Sequence, residues 1–129
     1  MFSAKRIFGN LGEDVACKFL VKRGFKVIQR NYLRKCGEID IVSSKDGITH
    51  FVEVKTVKSY DVSRETWDDY RPEDNLHYRK LQRMRRVIQV YLNDNHVSRE
   101  TEWKFDVVTV LLDREGKKAK VNFLEDIII

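Results

Sequence analysis

The chain has 129 residues, of which 42% are hydrophobic and 35% are charged, a composition typical of one globular domain. One Pro and six Gly argue against a disordered or fibrous chain, and no apolar run approaches the ~20 residues of a membrane-spanning helix. We therefore expect a single cytoplasmic domain over residues 1–129, with no membrane partner.

The charge balance is basic, because 25 Lys and Arg outnumber 20 Asp and Glu and give a formal net charge of +5. Such an excess suits a polyanionic partner, since Lys and Arg replace counterions on phosphates, although it serves solubility equally well. Cys17 and Cys36 form no CxxC pair, so we expect reduced thiols and neither a zinc site nor a disulfide.

The first predicted element in chain order is a helix over residues 9–23, which ends at Gly24. Its apolar face consists of Val15, Ala16, Phe19 and Leu20. Three strands follow, at residues 25–32, 38–43 and 49–57. A hairpin turn at residues 45–47 (KDG) predicts that the last two of these strands pair antiparallel.

The second half begins with a patternless segment at residues 58–74, which predicts a long loop or a short irregular helix. A helix over 73–93 follows, with acids near its start and a buried stripe of Leu81, Met84, Ile88 and Tyr91 or Leu92. Strands are predicted at 103–112 and 119–124, joined by a turn, and an apolar tail follows at 125–129. We expect residues 127–129 of this tail either to finish an edge strand or to be buried in a dimer interface, and the sequence favours neither. The order α-β-β-β-α-β-β predicts an α/β fold with a central mixed sheet.

The strand at 49–57 carries an acid and a lysine on one face. Because side chains alternate along a strand, Phe51, Glu53 and Lys55 point to one side. Val52 and Val54 point to the other side and belong to the core. The pattern therefore places Glu53 and Lys55 side by side at the exposed end of the strand.

The preceding strand, at 38–43, carries a second acid. The same alternation predicts Ile39 and Ile41 on one face, and on the other face Glu38, Asp40 and Val42. The hairpin turn lays the two strands together, so we expect Asp40 to lie close to Glu53.

These carboxylates suit a divalent cation. Oxygen ligands from Asp40 and Glu53, together with waters and a phosphate oxygen, match the preference of Mg²⁺ or Mn²⁺. Lys55 would then orient or deprotonate an attacking water. The alternative, which spacing alone favours, is two surface salt bridges on a hairpin.

Glu13 has two interpretations. It follows Gly9 and Gly12 near the predicted start of the first helix, where an acid stabilises the helix N-terminus, and sequence alone favours this role. The other interpretation makes Glu13 a third carboxylate of the metal site.

Three blocks together resemble the bacterial YraN-like proteins, namely GNLGE at 9–13, GEID at 37–40 and FVEVKT at 51–56. Residues 103–108 (WKFDVV) are similar to a later strand of that family, with Lys104 where Arg is common. The resemblance covers nearly the whole chain, and the first three blocks in combination are specific.

That family is related to the PD-(D/E)xK nucleases and is similar to archaeal Holliday-junction resolvases. The resemblance implies a restriction-endonuclease-like fold, with a central mixed five-stranded sheet flanked by helices, and a divalent-metal nuclease site. By motif, Asp40, Glu53 and Lys55 match the D…ExK core. Glu13 matches the acid of the first helix, so the metal ligands for Mg²⁺ or Mn²⁺ would be Glu13, Asp40 and Glu53. Glu38 receives no ligand role, because Asp40 holds the signature position.

Two features depart from the family pattern. Val57 follows VKT where a basic residue is common, and residues 59–70 replace a shorter loop that contains Phe-Gly. Trp67 and Tyr70 in this segment either stack on an unpaired base or, as we favour, pin the loop to the domain. The resemblance therefore does not imply which residues of this region contact the substrate.

The segment 79–86 carries five cations in eight positions. Arg79, Arg83 and Arg86 fall on one helical face, which suits a nucleic-acid backbone, although a solvated face is the alternative. Lys80 resembles a family lysine at this point and is expected to reach towards the scissile phosphate.

Together with these residues, the resemblance implies an endonuclease that requires Mg²⁺ or Mn²⁺ and cuts branched or otherwise structured DNA. A nucleic-acid-binding module with a nuclease fold and no catalysis is the alternative, since fold does not guarantee function. A structural partner of other proteins is a third reading, which the apolar tail would support. A homodimer is expected of resolvase-like enzymes, because they cut two strands symmetrically.

Overall fold

The computed structural model describes residues 3–59, 78–113 and 117–129. Within these ranges two helices and five strands follow one another in the predicted order α-β-β-β-α-β-β. In chain order they are α1 (Ala4–Lys22), β1 (Lys26–Arg34), β2 (Gly37–Lys45), β3 (Ile48–Ser59), α2 (Tyr78–Asp94), β4 (Trp103–Asp113) and β5 (Ala119–Leu124). The predicted loop at 58–74, with Trp67 and Tyr70, and the predicted start of the second helix at 73 lie outside the described residues, apart from 58 and 59.

The five strands form one mixed sheet in the order β1-β2-β3-β4-β5. β3 and β4 pair in parallel, and the other neighbours pair antiparallel, which confirms the predicted mixed sheet. The predicted hairpin joins β2 and β3 through Asp46 and Gly47, whose φ angles of 53° and 78° are those of a two-residue type I′ turn. A parallel pair needs a longer crossover, and α2 lies in the connection between β3 and β4.

One helix covers each face of the sheet, and each interface has its own apolar core. On the α1 side the buried residues are Ala16, Leu20, Phe25, Ile41, Val52, Val108, Val110 and Leu112. On the α2 side they are Tyr32, Ile39, Val42, Phe51, Met84, Val87, Ile88, Tyr91, Phe105 and Val107. β4 is buried on both faces from Phe105 to Leu112, as expected of an interior strand in a sheet that is covered by a helix on each face.

α1 begins five residues before the predicted start. Ser3 caps it by accepting a hydrogen bond from the Arg6 amide at 3.2 Å on its side-chain oxygen. Glu13 therefore lies in the middle of the helix, and the first turn contains no acid. The expectation that Glu13 stabilises a helix N-terminus is wrong, because Gly9 lies inside the helix and does not mark its boundary.

The prediction that Ile39 and Ile41 share a face of β2 is also wrong. Ile39 lies in the α2-side core, and Ile41 lies in the α1-side core. The two strands lose regular alternation together, because Asn31 of β1 takes a left-handed conformation with φ of 55° between the pairs Arg30–Ile41 and Tyr32–Ile39. The irregular position on β2 is Asp40.

The apolar tail at 125–129 covers its own domain. The Ile127 amide donates to the Phe105 carbonyl at 2.7 Å, and Ile127 and Ile129 pack against the α2-side core. These residues do not form an edge strand, and Ile128 is exposed. In the described part of the chain, neither helix is long and apolar enough to cross a membrane.

Candidate metal and phosphate site

Asp40 lies where β2 separates from β3. The ladder between the two strands ends at the pair Ile41–Val52. One residue further, the Asp40 carboxylate accepts a hydrogen bond from the Val54 amide at 2.8 Å and takes the place of a strand carbonyl. This bond fixes the acid between the ends of the two strands.

Two surface clefts of about 400 Å³ each meet at Asp40. The cleft on the α1 side, which we call the α1 cleft, is lined by Lys5, Arg6, Glu13, Asn31, Glu38 and Asp40. The cleft on the other side, the α2 cleft, is lined by Glu38, Asp40, Glu53, Lys80, Arg83 and Met84. Because Glu38 and Asp40 belong to both clefts, Glu13 in the α1 cleft and Glu53 in the α2 cleft lie on either side of Asp40.

Acidic side chains influence one another at this point. The pKa of Asp40 is raised to about 7, chiefly by burial, with the carboxylates of Glu13, Glu53 and Glu38 acting in the same direction and the Val54 hydrogen bond opposing them. Burial also raises the pKa of Glu13, with Glu38 and Asp14 acting in the same direction and Arg30 opposing them. Burial and neighbouring acids therefore disfavour the ionised forms of both carboxyl groups.

A close helix–strand contact positions Glu13. A Cβ placed on Gly12 would lie 1.9 Å from the Thr56 hydroxyl oxygen, so the absence of a side chain lets α1 approach β3. Glu13, the next residue, lies 3.8 Å from an Arg30 guanidinium nitrogen. With its amide nitrogen facing the acids, Asn31 donates to Glu13 at 3.0 Å and to Glu38 at 3.2 Å.

Glu53 points from β3 towards α2, as the alternation of β3 predicts. Its carboxylate forms an ion pair with the Lys80 ammonium group at 2.7 Å. The Glu53 side chain is 15% exposed and the Lys80 side chain is 39% exposed. Lys55, two residues further along β3, is exposed and follows Glu53 on the same face.

As they stand, no three His, Cys, Asp or Glu side chains among residues 3–59, 78–113 and 117–129 are arranged to hold a metal ion. The contacts of the carboxylates account for this. Asp40 is bonded to the Val54 amide, Glu53 is bonded to Lys80, and Glu13 lies on the α1 side beside Asn31.

The three predicted arginines of α2 share one surface. Arg79, Gln82, Arg83 and Arg86 line a groove of about 440 Å³, which we call the arginine groove. Arg83 also lines the α2 cleft, so the groove borders the cleft that holds Asp40 and Glu53. Lys80 projects from the same helix into this cleft.

Sequence reasoning missed two contributors to the site. Glu38 received no role, yet it lies between both clefts and interacts with Glu13 and Asp40. Asn31 received no role either, although its amide connects Glu13 with Glu38. The tolerance of Asn for a left-handed conformation, inside an otherwise β-prone segment, is the signal that would have found it.

Comparison with known proteins identifies the family. The model of a family described as "Uncharacterised protein family UPF0102" matches residues 12–110. A UPF0102 protein of Campylobacter jejuni subsp. jejuni is 37% identical over 119 residues, which cover 92% of this chain and 91% of the relative. UPF0102 proteins of Chloroherpeton thalassium (36% over 120 residues, 93% and 87% covered) and Dictyoglomus turgidum (34% over 116 residues, 90% and 92% covered) are also similar. The chain therefore belongs to the UPF0102 family, the YraN-like proteins that its three motif blocks resemble.

Proposed function

We propose that this protein is a divalent-metal-dependent nuclease of the PD-(D/E)xK superfamily, which hydrolyses phosphodiester bonds of branched or otherwise structured DNA. The observation that carries the proposal is that two clefts, one with Glu13 and one with Glu53, adjoin at Asp40 where β2 separates from β3. Three different elements supply these acids, and the D…ExK order along β2 and β3 accompanies them.

The residues at this point fit a hard divalent cation. The cluster consists of carboxylate oxygens, and Asp40 is buried beside other acids strongly enough to raise its pKa to about 7. Buried carboxylates that lie near one another are stabilised by a cation, and oxygen-only ligand sets favour Mg²⁺ or Mn²⁺ over softer metals. Asp40, Glu53 and Glu13 would hold the ion.

When bound, Mg²⁺ or Mn²⁺ would polarise the scissile phosphate and lower the pKa of the attacking water. Lys55 would orient that water or accept its proton from the same face of β3 as Glu53. The Lys80 ammonium group, at the rim of the α2 cleft, would contact the scissile phosphate. In this proposal the acids bind the metal, Lys55 acts on the water and Lys80 contacts the phosphate.

The arginine groove supports a nucleic-acid substrate. Arg79, Arg83 and Arg86 line it, and Arg83 also lines the neighbouring α2 cleft. Guanidinium groups bind phosphate oxygens without reading base sequence, so such a groove fits a substrate recognised by its backbone and shape. The net charge of +5 adds a long-range attraction for a polyanion.

The test is cleavage of labelled four-way junction, flap, duplex and single-stranded DNA by the full chain with Mg²⁺, Mn²⁺ or EDTA. We expect cleavage that needs metal and is lost in Glu53→Ala and in Lys55→Ala. Glu100→Ala and Lys22→Ala remove the same side-chain types at exposed positions away from the clefts, and they should cut like the wild type.

A binding module without catalysis is the second candidate, and the arginine groove alone would serve it. It predicts DNA that is retarded but uncut, identically in the wild type, Glu53→Ala and Lys55→Ala. That outcome would remove the catalytic assignment and leave nucleic-acid binding as the function.

A further inference from the structure

We propose that Lys80 is the built-in counter-ion of the metal site, which neutralises Glu53 while no divalent cation is bound and is displaced from it when one binds. This inference rests on the proposed function, because it assumes that Glu53 is a metal ligand. It adds a positioning role to Lys80, whose assigned task is contact with phosphate.

The geometry of the ion pair is the first argument. The Lys80 ammonium nitrogen lies 2.7 Å from a Glu53 carboxylate oxygen, and the Glu53 side chain is only 15% exposed. Lys80 is in the first turn of α2, about 100° round the helix from Arg79, on the side of Met84 and the buried stripe. It therefore reaches inward to the carboxylates, whereas the arginines line the outer groove.

Two cations on one carboxylate oppose each other. A divalent ion of the Mg²⁺ class binds carboxylate oxygens at about 2.1 Å, and an ammonium group on the other oxygen of the same carboxylate would lie within a few ångströms of it. Repulsion between like charges at that separation is strong in a half-buried cleft, where water screens less than in bulk. Binding of the metal therefore weakens the ion pair of Glu53 with Lys80, and the ion pair weakens binding of the metal.

In the metal-free protein, the acids of the α2 cleft need another positive charge. The α2 cleft holds Glu38, Asp40 and Glu53 together, and their carboxylates repel one another. The Lys80 charge relieves this repulsion in the absence of metal. After displacement, Lys80 stays at the rim of the cleft with Arg83, where a phosphate oxygen is the acceptor that remains, so loading of the metal prepares the phosphate contact.

The test is Mn²⁺ binding by the full chain without nucleic acid, measured from the electron paramagnetic resonance signal of the free ion. We compare the wild type, Lys80→Met and Arg83→Met. Arg83 lines the same cleft, so its variant removes a charge from the same surroundings without removing the ion pair to Glu53. We expect Lys80→Met to bind Mn²⁺ about three- to tenfold more tightly than the wild type, and clearly more tightly than Arg83→Met.

A second readout is thermal unfolding in EDTA and in saturating Mn²⁺. Because Lys80→Met leaves Glu53 without its counter-ion, we expect a larger gain in Tm on adding Mn²⁺ for this variant than for the wild type or Arg83→Met. A variant that folds less well in EDTA would still show this gain.

The outcomes separate the two proposals. Wild-type binding with unchanged affinity in Lys80→Met, or with the same change in Arg83→Met, would overturn the counter-ion role and leave the metal site intact. No Mn²⁺ binding by any of the three proteins would overturn the metal site of the proposed function, and the counter-ion role with it.

Discussion

Gly9 and Gly12 lie three residues apart on α1, but a side chain would meet different surroundings at each. A Cβ on Gly12 would lie 1.9 Å from the hydroxyl oxygen of Thr56 and 2.8 Å from its other side-chain atoms. A Cβ on Gly9 would meet nothing within 4 Å. Gly12 is therefore required by the packing of α1 on β3, whereas packing gives no reason for Gly9.

The two alanine variants should consequently shift stability in opposite directions. Gly9→Ala should raise the free energy of unfolding by about 0.5–1 kcal/mol, because Gly in a helix interior is costly relative to Ala. Gly12→Ala should lower it by about 1–3 kcal/mol, since α1 must move away from β3. Thermal unfolding followed by circular dichroism measures both, and a Gly12→Ala protein that melts with the wild type would contradict the close contact.

Asp40 should make the metal-free protein less stable as pH rises. Its carboxyl group keeps its proton up to a pKa of about 7 in the folded chain, against 3.8 as the ordinary value. Between these values folding binds a proton, so the free energy of unfolding falls as pH increases from about 4 to 7. The raised pKa of Glu13 acts in the same direction.

Asp40→Asn removes the ionisable group and with it this loss of stability at high pH. The side-chain oxygen of Asn can still accept the hydrogen bond from the Val54 amide. In EDTA we expect the variant to melt about 3 °C or more above the wild type at pH 8, with a gap that narrows as the pH is lowered to 4.5. Glu100→Gln, an exposed acid, is the matched control and should show no such gap. Parallel melting curves of Asp40→Asn and wild type over the whole range would refute the buried-acid assignment.

At the scale of elements, the cationic side chains of α2 lie on different sides of the helix. Arg79, Arg83 and Arg86 line the arginine groove, while Lys80 points into the α2 cleft. Arg85 belongs to the same run of cations, yet it lies on a different side of the helix from the three arginines of the groove. This arrangement supplies a control within the same helix.

Replacing a groove arginine should weaken nucleic-acid binding through the phosphates. We expect Arg79→Gln, Arg83→Gln and Arg86→Gln each to reduce the slope of log affinity against log salt concentration by about 1, independently of DNA sequence. Arg85→Gln should leave the slope unchanged. Fluorescence anisotropy over a salt series measures the slopes, and equal effects of all four variants would show that the groove has no special role.

β3 was predictable from sequence, because its alternation is regular from Phe51 to Lys55 and its turn has the residues that a type I′ hairpin requires. β2 was not, since the left-handed Asn31 on the neighbouring strand changes which faces Ile39 and Ile41 occupy. A rule that reads one strand at a time contains no information about its neighbour. The start of α1 was misplaced for a different reason. A glycine in helical conformation at position 9 looks like a boundary, whereas the helix begins at Ala4 behind its cap Ser3.

At the scale of the whole molecule, the candidate site combines residues of both helices and of the sheet between them. α1 supplies Glu13, the adjoining strands β2 and β3 supply Asp40 and Glu53, and α2 supplies Lys80. The acids were predictable from a motif, because each occurs in a short block of recognisable sequence. The pairing of Glu53 with Lys80 was not, since these residues are brought together by the crossover from β3 through α2.

The central claim is that Asp40, Glu53 and Glu13 form a divalent-metal site at the separation of β2 and β3. The most direct measurement is an anomalous difference map from crystals of the full chain soaked in Mn²⁺, with Asp40→Asn crystals as the control. The account predicts a peak within ligand distance of Asp40 and Glu53, a Glu53 side chain turned away from Lys80, and no peak in the variant. Wild-type crystals with no peak at this point at saturating Mn²⁺, and with the ion pair of Glu53 and Lys80 unchanged, would contradict it.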